Sequence, residues 1–245
     1  LYFEEGINFY KNYKKIGKSG LLGGCGLGVA MISFIYSITN TTAAITLLCL
    51  AAMPFFTALL AFLFLKERIS FNVWISIILA TVGIIIMAFG NTEKSSVIGF
   101  IFGITSSIGF SVFSVTLRWR KETPKFTTVA IAGLFCFIVA TIMILSKNQP
   151  FFATSYNSSM FSLHGTLVCL GLILYSIGSK AIPAAELTLL SLTEVIGGIF
   201  WVWLPLFGIN EVPSTNTIVG GFFLFISLVY YSLIMRWNKR YIALN

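Results

Sequence analysis

Long apolar runs alternate with short polar breaks along the chain, and the length of the runs decides the reading. Eight apolar stretches occur, at approximately 21–38, 43–65, 71–89, 97–116, 127–146, 162–178, 184–207 and 217–236. Each is close to the ~20 residues a helix needs to cross roughly 30 Å of hydrocarbon. Strands of a membrane barrel would be about ten residues long with strict alternation, and these runs are continuous instead. A helix also pairs every backbone N–H and C=O within itself, which hydrocarbon demands. The predicted fold class is therefore all-α, a polytopic membrane bundle of about eight transmembrane helices. The breaks are short: Lys66–Ser70 (KERIS), Asn91–Ser96 (NTEKSS), residues 117–126, and the longest at 147–161.

Composition agrees with that pattern. Hydrophobic residues make up 57 % of the 245, charged residues 10 %, and the mean hydropathy is +0.93. A soluble domain carries roughly 25 % charged residues, so the polar surface that water requires is lacking here. The net charge of +8 is not a nucleic-acid footprint, because the basic residues sit in clusters between apolar runs and form no stripe. They do report topology. With the N-terminal segment in the cytoplasm, the inside set is Lys11, Lys14, Lys15, Lys18, Lys66, Arg68, Arg118, Arg120, Lys121, Lys125, Lys180, Arg236, Lys239 and Arg240; the outside set is Lys94 and Lys147. Fourteen against two is a strong positive-inside bias. It puts both termini in the cytoplasm, and the expected location is the inner membrane of a bacterium.

Cys25, Cys49, Cys136 and Cys169 each lie inside an apolar run without metal-ligand spacing, and His164 stands alone. They read as structural residues. No Walker motif occurs, and the glycines of GGCGLG (23–28) open a membrane span with no strand before them. No cofactor or metal is expected. The sequence opens at Leu1 on a polar, basic segment unlike a signal peptide, which reads as a fragment.

An internal repeat is visible. Tyr36-Ser37-Ile38 ends the first span and Tyr175-Ser176-Ile177 the sixth; Ala43-Ala44 opens the second and Ala184-Ala185 the seventh. The second span leaves through Leu65-Lys66-Glu67-Arg68-Ile69-Ser70 and the seventh through Asn210-Glu211-Val212-Pro213-Ser214. Each is followed by a span with Gly83 or Gly220-Gly221 inside. The charge count puts Glu67 inside and Glu211 outside, so the repeat is inverted, a plan that permits two packings open to opposite sides.

The run TTAAITLLCLAAMPFFTALLAFLFLKERIS and the later PAAELTLLSLTEVIGGIFWVWLPLFGINEVPS both resemble the second half of an EamA domain of the drug/metabolite transporter superfamily. Members typically hold ten helices in two five-helix halves. The resemblance covers roughly 21–236 and implies a division into residues 1–96, a partial first repeat of three helices, and residues 97–245, a complete second repeat of five. The first two helices of the plan are missing. Where the family often shows Glu-Pro, this chain has Met53-Pro54 and Glu194-Val195, each half keeping one member of the pair.

Ionisable residues deep in a span mark candidate function, since an acid at a helix centre costs about 2.5–3.5 kcal/mol on insertion scales. The seventh span carries Glu186 and Glu194, with Thr188, Ser191 and Thr193 among them. As one continuous helix it would place the two acids about 80° apart on one broad face, some 12 Å along the axis. That face is a candidate lining for a substrate path, with a carboxylate that binds an amine or takes up a proton. The alternative is a carboxyl hydrogen-bonded to a neighbouring helix. Trp201 falls on Glu194's face and is a candidate cation–π wall, with lipid or core packing as the other reading. Tyr36 and Tyr175, equivalent in the repeat, are candidate gate residues; Trp119 and Trp237 are interface anchors. Gly24, Gly28 and Gly197-Gly198 suit close helix packing, and Pro54 and Pro205 are bending points.

No Lys or Arg lies deep in any span, which argues against phosphorylated substrates and favours zwitterionic or cationic ones. The expected function is a secondary transporter of small polar metabolites by alternating access, without enzymatic activity. Its expected partners are the lipid bilayer, a small-molecule substrate, coupled protons and a second copy in a homodimer, with no nucleic acid. Export of amino acids and uptake of a large cation such as S-adenosylmethionine are roles the resemblance implies. The competing readings are a non-transporting fragment and, more remotely, a membrane-embedded enzyme, for which grouped nucleophile, base and metal candidates are lacking. The inverted repeat predicts that single cysteines at Ser70 and Ser214 react with membrane-impermeant reagents from opposite sides. Labelling of both from one side would end the two-way carrier reading.

Overall fold

The computed structural model describes residues 16–67, 69–90, 96–119, 125–148, 150, 154–203 and 215–243. The helices are α1 (Gly17–Asn40), α2 (Ala43–Ala51), α3 (Met53–Leu60) continued by a π turn (Ala61–Leu65), α4 (Phe71–Gly90), α5 (Val97–Trp119), α6 (Lys125–Ser146), α7 (Ser155–Gly178), α8 (Ala184–Leu190), α9 (Leu192–Trp203) and α10 (Thr215–Ala243). Two of the apolar runs are each split into two helices, so these elements trace eight paths. No strand occurs among the described residues. Five stretches are long and apolar enough to cross a membrane: Gly17–Asn40, Ile45–Leu65, Val97–Trp119, Phe126–Ser146 and Ser155–Gly178. Phe71–Ile86 and Ile218–Ile234 are shorter apolar helices. The molecule is an all-α bundle, as the run lengths require.

Three boundaries differ from the expected ones. The polar residues 155–160, read above as loop, form the first turns of α7. The Thr154 hydroxyl caps them by accepting the Asn157 N–H at 3.4 Å, which supplies the end-group partner that composition hides. The second run breaks at Ala52, and Pro54 then lies in the first turn of α3, where its missing N–H forfeits no helical bond. The bending point read at Pro54 is therefore real. The seventh run breaks at Ser191 without any proline. There Ser191 Oγ donates to Thr188 O (2.7 Å), Thr193 Oγ1 to Leu190 O (2.9 Å), and the Glu194 N–H turns to Ser191 O (2.9 Å). Hydroxyls that bond back to the preceding turn compete with the helical ladder and bend it. Pro205, Lys94 and the NEVPS turn lie outside the described residues.

Glycine sets the closest approaches. A Cβ on Gly109 of α5 would meet Gly26 O of α1 at 2.6 Å; on Gly24 and Gly28 it would run into Ile131 and Phe135 of α6. Across α4 and α10, a Cβ on Gly83 would meet Gly220 O at 2.6 Å. Glycines equivalent in the repeat thus press on each other. The split paths also meet: α3 packs on α8 and α2 on α9, around a core of Leu48, Ala51, Met53, Leu189, Leu192 and Val195.

Helix α5 ties the parts together through hydroxyls. Ser106 Oγ donates to Ala30 O of α1 (2.8 Å) and Ser107 Oγ to Cys49 O of α2 (2.7 Å), while Ser111 Oγ shares its one proton between Ser107 O of its own helix (2.8 Å) and Met53 O of α3 (3.2 Å). The outward surface is apolar, with Phe64, Phe137, Leu174 and Leu233 all exposed, as a lipid-facing surface should be.

Helices α1 and α7, which the expected repeat would pair, differ in burial. In α1, 39 % of the apolar window is buried against α5 and α6; in α7 the figure is 6 %. No described helix takes the corresponding places beside α7. Ser37 of α1 bonds to Gly99 O (2.8 Å) and Thr46 (2.9 Å), whereas its equivalent Ser176 is buried with no hydrogen-bond partner. Gly83→Ala and Gly109→Ala should each lower stability by about 1–3 kcal/mol, because backbone lies in the way. Gly133→Ala, which meets nothing within 4 Å, should be close to neutral. Thermal unfolding of detergent-solubilised variants measures the difference.

Candidate functional site

The candidate site is built where α5 and α7 touch, with Glu194 of α9 within electrostatic range of Tyr175. Tyr175, one turn from the end of α7, is clamped by aromatic rings of α5. Its ring lies edge-on to Phe110 (5.1 Å between centroids) and stacks on Phe113 at 6.0 Å. Its hydroxyl is 2.7 Å from Ser114 Oγ. Ser114 also donates to Phe110 O at 2.9 Å. A serine has one proton, so in that arrangement Tyr175 is the donor to Ser114, and its own oxygen is left facing the site as an acceptor.

Glu194 supplies the second acceptor. It is exposed, in the first turn of α9, where the helix dipole favours an anion. It lies near enough to Tyr175 for the two groups to interact electrostatically. Ten residues separate it from Ala184, about 15 Å of helical rise, which is half the depth of the hydrocarbon. The kink at Ser191 thus leaves an acidic side chain within electrostatic range of the Tyr175 phenol.

The other candidates fall elsewhere. Glu186 does not share a face with Glu194, because the break at Ser191 interrupts the helix on which that geometry rested. Its Oε2 accepts the Tyr231 hydroxyl of α10 at 2.6 Å, the neighbouring-helix reading given above. Ser191 Oγ is committed to the kink. Tyr36 donates to Met143 Sδ (3.2 Å) and stacks on Phe102 at 5.1 Å. It lies against the opposite end of α5 from Tyr175, as the inverted repeat requires. Trp201 is 54 % exposed, seven residues beyond Glu194 on α9, and so keeps Glu194's face. The structure adds Ser114, Phe110 and Phe113. Their signal was present in the sequence as serines at 107, 111 and 114, spaced to line one face of a helix.

The fold defines a class, the multi-pass helical membrane protein. Residues 1–89 match the EamA-like transporter family. Two proteins named "Uncharacterized transporter" from Helicobacter pylori, strains J99 and 26695, are 25 % and 24 % identical over 183 residues, or 71 % of this chain and 60 % of theirs. The chain thus spans about 60 % of the length of these relatives. A protein of the same name from Clostridium kluyveri is 25 % identical over 232 residues, covering 87 % of this chain and 72 % of its own. A solved structure titled "Crystal structure of protein" aligns with a TM-score of 0.65 over 87 % of this chain and 77 % of that one. At 16 % identity it is similar in fold. The chain is thus similar to EamA-like transporters over residues 1–89 and to transporter-named proteins over most of its length.

Tyr231→Phe strips Glu186 of its donor in a partly buried setting. It should cost about 1–3 kcal/mol, visible as a lower Tm, while Glu186→Gln, which can still accept from Tyr231, should cost less.

Proposed function

We propose that the protein is a secondary carrier that moves small amine-bearing metabolites, cationic or zwitterionic, across a bacterial inner membrane by alternating access. The observation that carries this reading is the pairing of Tyr175 and Glu194. With Tyr175 donating to Ser114, both groups face the site as acceptors, and Glu194 adds negative charge. A substrate ammonium, with its donors and positive charge, is the complement of that arrangement. The rings of Phe110 and Phe113 hold the phenol in position and keep the surroundings apolar, which strengthens the interaction with Glu194.

The transporter names of the relatives and the EamA match support carriage as the activity. The fourteen-to-two division of Lys and Arg supports an orientation with both termini and the KERIS turn in the cytoplasm. The halves 1–96 and 97–245 would be the two inverted bodies, and the kinks at Ala52 and Ser191 the places where they flex. Coupling to protons would run through Glu194, the exposed one of the described acids.

Uptake of radiolabelled amines and amino acids into proteoliposomes tests the reading. Glu194→Gln should cut flux roughly 10- to 150-fold, the worth of a hydrogen bond to a charged group. It should also erase any pH dependence, with membrane insertion unchanged. Tyr175→Phe should cut flux several-fold. Wild-type flux and pH response in Glu194→Gln would remove the acid from the mechanism.

A further inference from the structure

At the basic end of the bundle the two halves are joined through one side chain. Arg118, in the last turn of α5, donates from Nε to Glu67 Oε1 at 3.2 Å. Its Nη1 reaches the carbonyl oxygens of Ser179 (3.4 Å) and Ile182 (3.3 Å). Glu67 follows the π turn that ends the first split path. Ser179 and Ile182 form the turn between α7 and α8, where the second split path begins. One guanidinium therefore fastens the mouths of both split paths to α5.

The local backbone is shaped for this contact. Lys66 adopts the left-handed conformation, with φ 53°, unfavourable for a residue bearing a Cβ. There the N–H groups of Lys66 and Glu67 both donate to Ala61 O, which turns the chain back over α5. Within a turn of the ion pair, Ala61, Val115 and Ala184 form a small buried apolar cluster flanked by Leu60 and Leu65. On this side of the kinks, α8 buries Ala184, Ala185, Leu187, Thr188 and Leu189. Beyond them, α9 exposes Thr193, Glu194, Phe200 and Trp201.

We propose that Arg118 is the latch of a cytoplasmic gate. In the closed state it holds Glu67 and the 179–182 carbonyls together over the Ala61–Val115–Ala184 plug. Its release lets α3 and α8 swing about Ala52 and Ser191 and open the site to the cytoplasm. The ion pair is suited to such a cycle, since both side chains are 24 % exposed and a pair of this kind is readily exchanged for water. The latch rests on the carrier reading and its orientation, but it is testable without any substrate.

The reporter is Val115→Cys in the full chain with Cys25, Cys49, Cys136 and Cys169 replaced by Ala or Ser. The readout is the rate of reaction with a membrane-impermeant maleimide in inside-out membrane vesicles. The reporter should react slowly with the latch intact. Glu67→Gln and Arg118→Gln should each raise the rate about tenfold, a usual size for coupling between conformational states. The double variant should be no faster than Arg118→Gln alone, because both changes break one contact. Should Arg118→Gln fail to insert, Arg118→Lys, which keeps the charge but loses the planar fork, should give a smaller rise. Fast labelling with the latch intact, unchanged rates in the Gln variants, or additive rates would each overturn the latch. Labelling that follows these expectations in a protein that carries no amine would uphold the gate and sink the substrate reading.

Discussion

Hydrocarbon offers no water to a polar group, so every hydroxyl and every carbonyl freed from a helical ladder must find its partner inside the protein. Helix α5 answers this for most of the bundle. Ser106, Ser107 and Ser111 donate to carbonyls of three different helices, two of them at the break between α2 and α3. A serine side chain is short, and it reaches a neighbour's backbone only where the helices nearly touch. Gly99, Gly103 and Gly109 on the same helix provide that contact, against Thr41, Cys49 and Gly26. Each bond is worth only about 0.6 kcal/mol on average in membranes, yet several acting on one helix fix its position against α1, α2 and α3. Ser114 continues the series and fixes Tyr175, so the site is an extension of the scaffold.

The two split paths reach the same form by different chemistry. Pro54 interrupts the first; hydroxyls of Ser191 and Thr193, turned back on the preceding carbonyls, interrupt the second. The halves then cross, α2 against α9 and α3 against α8. Had the seventh run stayed a straight helix, Glu186 and Glu194 would have shared one face. The break sends Glu186 to Tyr231 of α10 and Glu194 toward Tyr175 of α7. A structural acid and a candidate binding acid are thereby separated within eight residues.

Burial is unequal across the repeat. Helix α1 is gripped by α5 and α6, while α7 presents nearly all of its length outward and is held mainly through its last turns, where Tyr175, Ser176 and Ser179 lie. Tyr175 and residues 179–182, through which this end of the chain touches α5, lie on one short stretch.

The number and length of the apolar runs and the lack of charge within them were enough to read an all-α membrane bundle, because hydrophobic length is a property of the chain itself. Pro54 was legible as a bend for the same local reason. Glu194 and Tyr175 stood out singly, one as a costly acid and one by its place in the repeat. That they come within electrostatic range, that Ser114 bonds the phenol and that Glu186 pairs with Tyr231 were decided in the folded molecule. So was the ion pair of Glu67 and Arg118, which in sequence counted only as surface charges 51 residues apart. Pairings of this kind depend on which helix faces which and on where a helix bends. Hydropathy is blind to both, since every face of a membrane helix is apolar enough to meet either lipid or protein.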